Sequence, residues 1–252
     1  RGWRRFAYLA RAYRNGLALA RAYRRRRPAG RAVLWDGTVL AHPPDRAGLP
    51  ETLLEIWYDG VYTGTFYRPR PGDVILDAGA NVGLFAVLVA RRHPGVRVVA
   101  FEPFDENYRL LAANAAAAGV PNLAVHHAAL GGESGTGAMA DVPGRSLDHR
   151  LVAGAGGVPV HSFAAALALA AAPRVALFKI DIEGSEYDVF ARAAAADLAR
   201  VDRFAVEYHE NLRPGVVELV RGRLAPTHAV EVVPHGPGYG MLYATLTPAG
   251  PP

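Results

Sequence analysis

Short apolar runs alternate with amphipathic segments from residue 72 to the C-terminus. Apolar runs that end in acid or glycine are typical of buried strands, and apolar positions at steps of three and four are typical of helices. The predicted strands are DVILDAG, VRVVAFEP, LAVHHAAL, RVALFKIDIEG, RFAVEYHE, HAVEVVP and GMLYATLTP, and the predicted helices are NVGLFAVLVARRH, FDENYRLLAANAAAAG, SEYDVFARAAA and GVVELVRGRL. This alternation predicts an α/β fold with a doubly wound, mostly parallel sheet.

The first 31 residues follow a different pattern. Arginines surround an apolar series with helical spacing, formed by Trp3, Phe6, Ala10, Tyr13, Leu17 and Ala20. The sequence Pro28-Ala29-Gly30 is a natural helix stop. We therefore predict a basic amphipathic helical arm over residues 1–31.

A lead-in separates this arm from the regular alternation. AVLWDGTVLAH predicts a hairpin, and ETLLEIWYDGVYTG predicts a helix followed by a loop. The expected organisation is the arm at 1–31, a lead-in or lid at 32–71 and one α/β domain at 72–248. Within the domain, the Gly- and Ser-rich stretch 131–160 is expected to be an irregular insertion.

The composition indicates the type of cellular compartment. The chain contains no cysteine, which excludes disulfides and thiolate metal sites and fits a reducing compartment. No apolar stretch reaches the ~18 residues of a membrane span, and the charged N-terminal segment lacks the apolar core of a signal peptide. The expected location is the cytoplasm, with the arm as the part that would touch a membrane.

The net charge of +5 hides an asymmetry. Residues 1–31 contain eleven arginines and no acid, whereas the remainder holds 17 basic and 23 acidic residues, a balance of −6. The favoured interpretation is an arm docked on its own domain or on a second copy of the chain. An anionic membrane surface or an acidic partner is the alternative. Nucleic acid is disfavoured, because a single basic helix without a reading module is a weak signal.

Acid and glycine follow the first predicted strand, in the order Asp77, Gly79, Asn81, Gly83. Ligands bind beyond the carboxyl ends of parallel strands, and glycines allow a tight turn with close backbone approach. An acid at Asp77 would repel a pyrophosphate but suits a ligand that carries an ammonium and a sulfonium. Glu102 ends the second strand, where a carboxylate accepts both hydroxyls of a ribose. Together the two acids predict S-adenosylmethionine as the cofactor.

Four further residues complete the expected cofactor contacts. Asn107 lies in the helix after Glu102, and His127 ends the third predicted strand, where adenine is expected. Tyr62 in the lead-in would cover the cofactor. Asp181 ends the fourth strand, next to the expected position of the methyl group.

The chain has a single lysine, Lys179, and acids follow it at Asp181 and Glu183. Glu207 and His209 end the fifth predicted strand, where a period of two places both on one face. These three acids and the imidazole are therefore expected to converge, with Lys179 either neutralising the acids or contacting an acceptor.

Three interpretations of this cluster remain open. His209 has an intrinsic pKa suited to a general base that removes a hydroxyl proton. Alternatively, Asp181, Glu207 and His209 hold a divalent metal that lowers the pKa of the acceptor hydroxyl. The third interpretation is a structural network, in which Glu183 caps the following helix.

Four segments carry a resemblance to a known family: DVILDAGANVGLFAVLVAR, VVAFEPFDENYRLLAAN, HHAALGG and FKIDIEGSEYDVF. Their order and spacing resemble those of the FkbM-type methyltransferases over roughly residues 55–245. The block from Lys179 to Gly184 is the most specific part. The resemblance implies a Rossmann-like class I methyltransferase that O-methylates a small-molecule hydroxyl, chiefly on a sugar or glycosylated natural product.

Two departures from the family pattern concern the acceptor side. HSFAAAL lacks the acids that the family often has in an LDDL-like segment, and the arm lies outside the family core. One alternative is a nucleic-acid methyltransferase that uses the arm, although the Asn/Asp-Pro-Pro-aromatic motif of base methylation is missing. A non-catalytic cofactor-binding scaffold is the other, and an oligomer is compatible with either.

Overall fold

The structure is a computed structural model that describes residues 2–44, 48–64, 66–141, 149–152 and 157–248. Helices α1 to α9 span Gly2–Ala12, Gly16–Arg25, Leu49–Leu54, Leu84–Arg92, Asp105–Ala118, Phe163–Ala170, Glu186–Arg192, Ala195–Leu198 and Val216–Leu224, and a π-helical turn, Glu55–Asp59, continues α3. Strands β1 to β13 span Arg31–Val33, Val39–Ala41, Val74–Ala78, Arg97–Phe101, Leu123–His126, Ala129–Leu130, Gly135–Asp141, His149–Val152, Val158–His161, Leu177–Ile180, Arg203–His209, His228–Gly236 and Tyr239–Leu246.

A seven-stranded sheet forms the centre, in the order β12-β13-β11-β10-β3-β4-β5. Neighbours from β11 to β5 pair in parallel, and β13 pairs antiparallel with both β11 and β12. The predicted α/β fold with a doubly wound, mostly parallel sheet is confirmed. The carboxyl ends of β3, β10 and β11 consequently meet at one edge.

Each face of the sheet packs its own hydrophobic core. Ile75 and Val98 face the arm, the lead-in, α4 and α5, whereas Leu76, Val99 and Phe178 face α6, α7 and α9. The split follows the two-residue alternation of side chains along a strand. Because Asp77, Lys179 and Glu207 each lie two residues beyond a member of the first core, their side chains point toward the lead-in.

The arm is helical but is divided into two helices, α1 and α2. The chain turns between α1 and α2 at Gly16, where an added Cβ would lie 2.2 Å from the carbonyl oxygen of Leu9. Glycine thus permits a close helix crossing, and this crossing changes which face is buried. Trp3 and Leu17 are 76% and 55% exposed, whereas Leu19 is 1% exposed.

The stretch 131–160 contains more regular structure than expected. β7, β8 and β9 join β6 in a four-stranded sheet with the order β6-β9-β7-β8. The segment GTGAMAD has no apolar alternation in the sequence, so its periodicity gives no signal for a strand. LAVHHAAL also divides, because β5 belongs to the central sheet and β6 to this second one. Residues 142–148 and 153–156 lie outside the described residues.

The lead-in forms the predicted hairpin, β1 with β2, and then the predicted helix at α3. The Asn114 side chain of α5 joins it to the domain, because it accepts from Ala41 N at 2.7 Å and donates to Ala41 O at 2.9 Å and Val82 O at 2.8 Å. Tyr243 of β13 donates to Val61 O at 2.7 Å. The lead-in is therefore attached to the sheet on both sides of α3.

Within the described ranges, none of the helices is long and apolar enough to cross a membrane.

The packing of the arm leads to a stability prediction. Replacing the buried Leu19 by Ala should lower the free energy of unfolding by roughly 2–5 kcal/mol, through lost burial and a residual cavity. The matched control is Leu17→Ala on the same helix, which should change it by less than about 0.5 kcal/mol. Urea unfolding measures both. Equal, small effects would show that the arm does not share the core in solution.

Candidate active site

A cavity of about 170 Å³ opens at the carboxyl ends of β3, β10 and β11. Its floor is the loop after β3, including Gly79 and Asn81, and its roof is the lead-in, including Thr52, Glu55 and Tyr62. Lys179, Asp181 and Glu207 line the wall between them. The predicted cofactor loop and the predicted acidic cluster therefore share one cavity.

Lys179 fastens the floor of this cavity to β10. Lys179 and Asp77 are register partners on adjacent parallel strands. Lys179 Nζ lies 2.8 Å from Asp77 Oδ1 and donates to Gly79 O at 3.0 Å, with both side chains buried. Burial opposes the charge of Lys179, but Asp77 and Asp181 outweigh it and raise the lysine pKa. Of the two predicted roles, neutralising the acids fits this geometry, because the ammonium is already committed to the loop.

The loop after β3 requires its glycines. Gly79 has φ +74°, and a Cβ there would lie 1.7 Å from the carbonyl oxygen of Asp181. Gly83 has φ +86°, and a Cβ there would lie 2.4 Å from a methyl of Leu111. Asn81 adopts a positive φ of 51° between them. The resulting turn places the main chain along the cavity. A ligand that binds close to the backbone requires such a turn.

Glu102 organises the same loop. Its two carboxylate oxygens accept from Asn81 N at 2.8 Å and from Phe104 N at 2.9 Å. Burial raises the pKa of Glu102 to about 7, although these backbone hydrogen bonds lower it. A carboxylate offers about four acceptor positions, so two remain for ribose hydroxyls.

Asn107 and His127 lie outside the cavity wall. Asn107 is 5% exposed in the first turn of α5. The His127 ring stacks on Tyr108 with centroids 4.6 Å apart, and its Nε2 lies 3.0 Å from Pro103 O. The roles of both residues as cofactor contacts stay predictions.

Tyr62 lies between the acids of the wall. Its hydroxyl oxygen is 3.5 Å from Asp181 Oδ2 and 3.4 Å from Glu207 Oε2. Burial, together with the nearby carboxylates of Asp181 and Glu55, raises the pKa of Glu207 to about 9. An excess of carboxyl groups surrounds this point, which suits a cationic ligand such as the predicted cofactor.

The surroundings of His209 favour a structural role over the predicted role as general base. Nδ1 lies 3.1 Å from Glu186 Oε1, and Nε2 lies 3.3 Å from Glu183 Oε2. Burial would lower the pKa of His209, but the hydrogen bond to Glu186 and the charges of Glu186 and Glu183 raise it to about 10. The ring is thus a cation near neutral pH and has no free lone pair to accept a proton. This arrangement matches the third interpretation, a structural network.

The predicted metal set also changes. Ligand atoms of Asp181, Glu183 and His209 lie within 4.8 Å of one another, whereas Glu207 is outside this group. Both ring nitrogens of His209 already face carboxylates, so a metal at this cluster would have to replace one of these two contacts. Glu183 joins the cluster because its backbone has φ +50°, and the loop is closed by Glu186, which accepts from Ile182 N at 3.2 Å and Gly184 N at 2.8 Å.

Three features of the site have no motif in the sequence. Glu55 of the π-helical turn and Thr52 of α3 line the roof, but their segment has no spacing that would single them out. Glu186 is fully buried and holds both His209 and the loop. In the sequence, the only signal for Glu186 is its position four residues after Ile182, at the start of a predicted helix.

Comparisons with known proteins identify the family of the chain. Residues 77–222 match the family model described as the methyltransferase FkbM domain. The chain is 30% identical to 31-O-demethyl-FK506 methyltransferase FkbM of Streptomyces tacrolimicus, over 74% of this chain and 85% of that protein. It is 28% identical to methyltransferase 1 of Beauveria bassiana, over 61% of this chain and 71% of that protein.

The fold has solved relatives as well. A structure titled as a putative rRNA-methylase from Clostridium thermocellum superposes with a TM-score of 0.51 at 9% identity, over 78% of this chain and 97% of that one. That likeness concerns the fold alone. Because the family model covers more than half of the sequence and includes Asp77, Glu102 and the Lys179 block, the chain belongs to the FkbM family of S-adenosylmethionine-dependent methyltransferases.

Proposed function

We propose that the protein O-methylates a hydroxyl group of a small molecule, with a sugar or a glycosylated natural product as the acceptor class. The observation that carries the proposal is the shared cavity, in which the cofactor loop at Gly79 and Asn81 adjoins the carboxyl groups of Asp181 and Glu207. A donor held by that loop and an acceptor in the same cavity would be close enough to react.

The cavity and the group that holds its floor fit S-adenosylmethionine. Glu102 does not line the cavity but holds its loop through Asn81 N, and it retains acceptor positions. The carboxyl groups of Glu55, Asp181 and Glu207 line the cavity and offer polar oxygens to the sulfonium and ammonium. When bound, this cofactor supplies an electrophilic methyl group. The chain would hold the acceptor in line and remove its proton.

Asp181 is the proposed proton acceptor. Its carboxyl group lines the cavity, and its main-chain N donates to Ala78 O at 3.1 Å, which fixes the residue against β3. Tyr62 lies on one side of the carboxylate, so the remaining oxygen positions face the cavity. As the acceptor oxygen bonds to the methyl carbon, the hydroxyl proton would pass to Asp181.

The walls favour a small acceptor over nucleic acid. Within the part of the chain that the structure describes, no arginine lines the cavity, and Lys179 is already paired with Asp77. A phosphate backbone would meet carboxyl groups there. The name of the Streptomyces relative, 31-O-demethyl-FK506 methyltransferase, specifies a methyl group placed on oxygen, which supports a hydroxyl acceptor.

Asp181→Asn tests the proton acceptor. Turnover should fall by about 10²–10⁴, the usual contribution of a general base, while cofactor affinity changes little. Asp188→Asn is the matched control, because that side chain is 60% exposed on α7. Single-turnover rates and calorimetry separate the two effects. Unchanged turnover in Asp181→Asn would contradict the assignment.

Cofactor affinity should depend on the ionisation of Glu102. The ligand-free pKa of about 7 means that the carboxylate is present above this pH and is lost as the pH falls through it. Affinity should therefore drop below pH 7, by at most about tenfold per pH unit. In Glu102→Gln, affinity should be weaker by about 1–3 kcal/mol and this pH dependence should vanish. Calorimetry that shows the same pH profile in both proteins would rule out the ribose role.

Chelation tests the metal interpretation. Because both ring nitrogens of His209 face carboxylates, EDTA should leave the methylation rate unchanged. Loss of activity with EDTA and recovery with magnesium or manganese would show that the cluster binds a metal during turnover. Nickel-free protein purified without an affinity tag avoids carry-over of metal in this assay.

A further inference from the structure

The arm has an outer face that its own domain does not cover. Leu9 of α1 and Leu19 of α2 pack in the same core, on the lead-in side of the sheet, so each helix uses one face for attachment. The opposite positions recur with helical spacing and are exposed. This outer face consists of Trp3, Arg4 and Arg11 on α1 and of Leu17, Ala18, Arg21, Arg24 and Arg25 on α2. Because both attached faces belong to one core, both exposed stripes point away from it.

The arm carries its positive charge at the surface. Nine of its eleven arginines are exposed, and it contains no acid. Within the described ranges, Arg5 is the only arm residue in an ion pair with another described residue, at 2.7 Å from Asp59. Asp36 of the hairpin turn is paired with Arg91. The charge of the outer face is therefore not compensated by these neighbouring acids, and it suits an anionic partner.

A shallow depression of about 480 Å³ lies at the edge of the outer face, between α1 and the π-helical turn. Arg4 and Arg11 line it, two helical turns apart. Tyr8 and Tyr58 line it as well, with ring centroids 5.4 Å apart. Guanidinium groups bind phosphate oxygens with two parallel hydrogen bonds, so this concave surface suits a phosphate group.

Large apolar side chains are exposed beside these arginines. Trp3 is 76% exposed at the start of α1, Leu17 is 55% exposed at the start of α2, and Trp35 is 68% exposed on the hairpin turn. Trp35 Nε1 donates to Arg11 O at 3.0 Å, which places this indole at the end of α1. Of the seven large hydrophobic residues that are exposed in the described chain, five lie in the arm and the lead-in. Tryptophan and leucine among arginines are typical of surfaces that bind at a membrane–water interface.

We propose that the outer face of the arm docks the protein on a membrane surface that contains anionic phospholipids. The exposed arginines bind the lipid phosphates, and Arg4 and Arg11 hold one headgroup at the depression. Trp3, Leu17 and Trp35 enter the headgroup layer.

The charge of the rest of the chain favours lipid over a second copy as the partner. Residues 32–252 contain 17 basic and 23 acidic residues, a balance of −6, so any surface they offer mixes both signs. An anionic membrane presents one sign throughout and attracts clustered basic residues. The same negative balance keeps the body of the protein away from the lipid and orients the arm toward it. This inference goes beyond methyl transfer and does not depend on it.

Flotation of the full chain with vesicles tests the proposal. The protein should float with vesicles of phosphatidylcholine and phosphatidylglycerol but not with phosphatidylcholine alone, and added salt should release it. Equal flotation with both vesicle types would contradict the proposal.

Paired substitutions locate the contact on the arm. Arg4→Gln with Arg11→Gln should weaken vesicle binding by about thirtyfold, the effect of two basic residues at an anionic surface. Point changes are used because the inner face of the arm belongs to the core. The matched control, Arg192→Gln with Arg221→Gln, removes the same charge from exposed positions on α7 and α9 across the sheet and should retain binding. Equal losses in both double variants would show a general effect of net charge and overturn the assignment.

Tryptophan emission reports on the apolar side chains. The chain has three tryptophans, and Trp57 differs from the other two because its Nε1 is buried and Arg92 Cζ lies 3.7 Å from its ring centroid. Anionic vesicles should shift the emission of the wild type to shorter wavelength. Trp3→Phe with Trp35→Phe leaves Trp57 alone and should show no shift. A shift that persists in this variant would contradict insertion of the two exposed indoles.

Self-association through the outer face is the competing outcome. Sedimentation equilibrium without lipid should give the same mass for the wild type and for Arg4→Gln with Arg11→Gln. A dimer that dissociates in this variant, together with a wild type that does not float with anionic vesicles, would assign the outer face to a second copy and overturn the proposal.

Discussion

The buried ion pair between Lys179 and Asp77 is the interaction on which the site depends. It joins the central strands β3 and β10 at their carboxyl ends, and through Gly79 O it also holds the loop that would receive the cofactor. Removing either partner would leave an uncompensated charge in the core, which typically destabilises a protein by about 3–5 kcal/mol. The pair therefore links the stability of the sheet to the shape of the ligand floor.

The other charges of the cavity are arranged around that fixed point. The acids on the lead-in side, Glu55, Asp181 and Glu207, have no second cation of this kind in the described wall. The His209 ring instead pairs with Glu183 and Glu186. These contacts close the loop after β10. The site thus separates a structural layer of paired charges from a layer of carboxyl groups that line the cavity.

Sequence reasoning predicted the sheet, the cofactor loop and the position of the acidic cluster, because strand periodicity and strand-end motifs are local signals. It says less where tertiary packing decides. The crossing at Gly16 divides the helical arm in two, and spacing alone does not reveal a crossing. The intrinsic pKa of His209 suggested a base, whereas Glu186, which holds its ring, is distant from it in sequence and adjacent only in the fold. The roof residues Thr52 and Glu55 were invisible for the same reason.

The side-chain amide of Asn114 contacts both the roof side and the floor side of the cavity. It holds Ala41, at the end of the lead-in hairpin, and Val82, in the predicted cofactor loop, while Tyr243 holds Val61 at the other end of the roof. The roof residues Thr52 and Glu55 lie between these two anchors. A substitution at either residue would therefore reshape the roof of the cavity while both attachments, and with them the floor, stay in place.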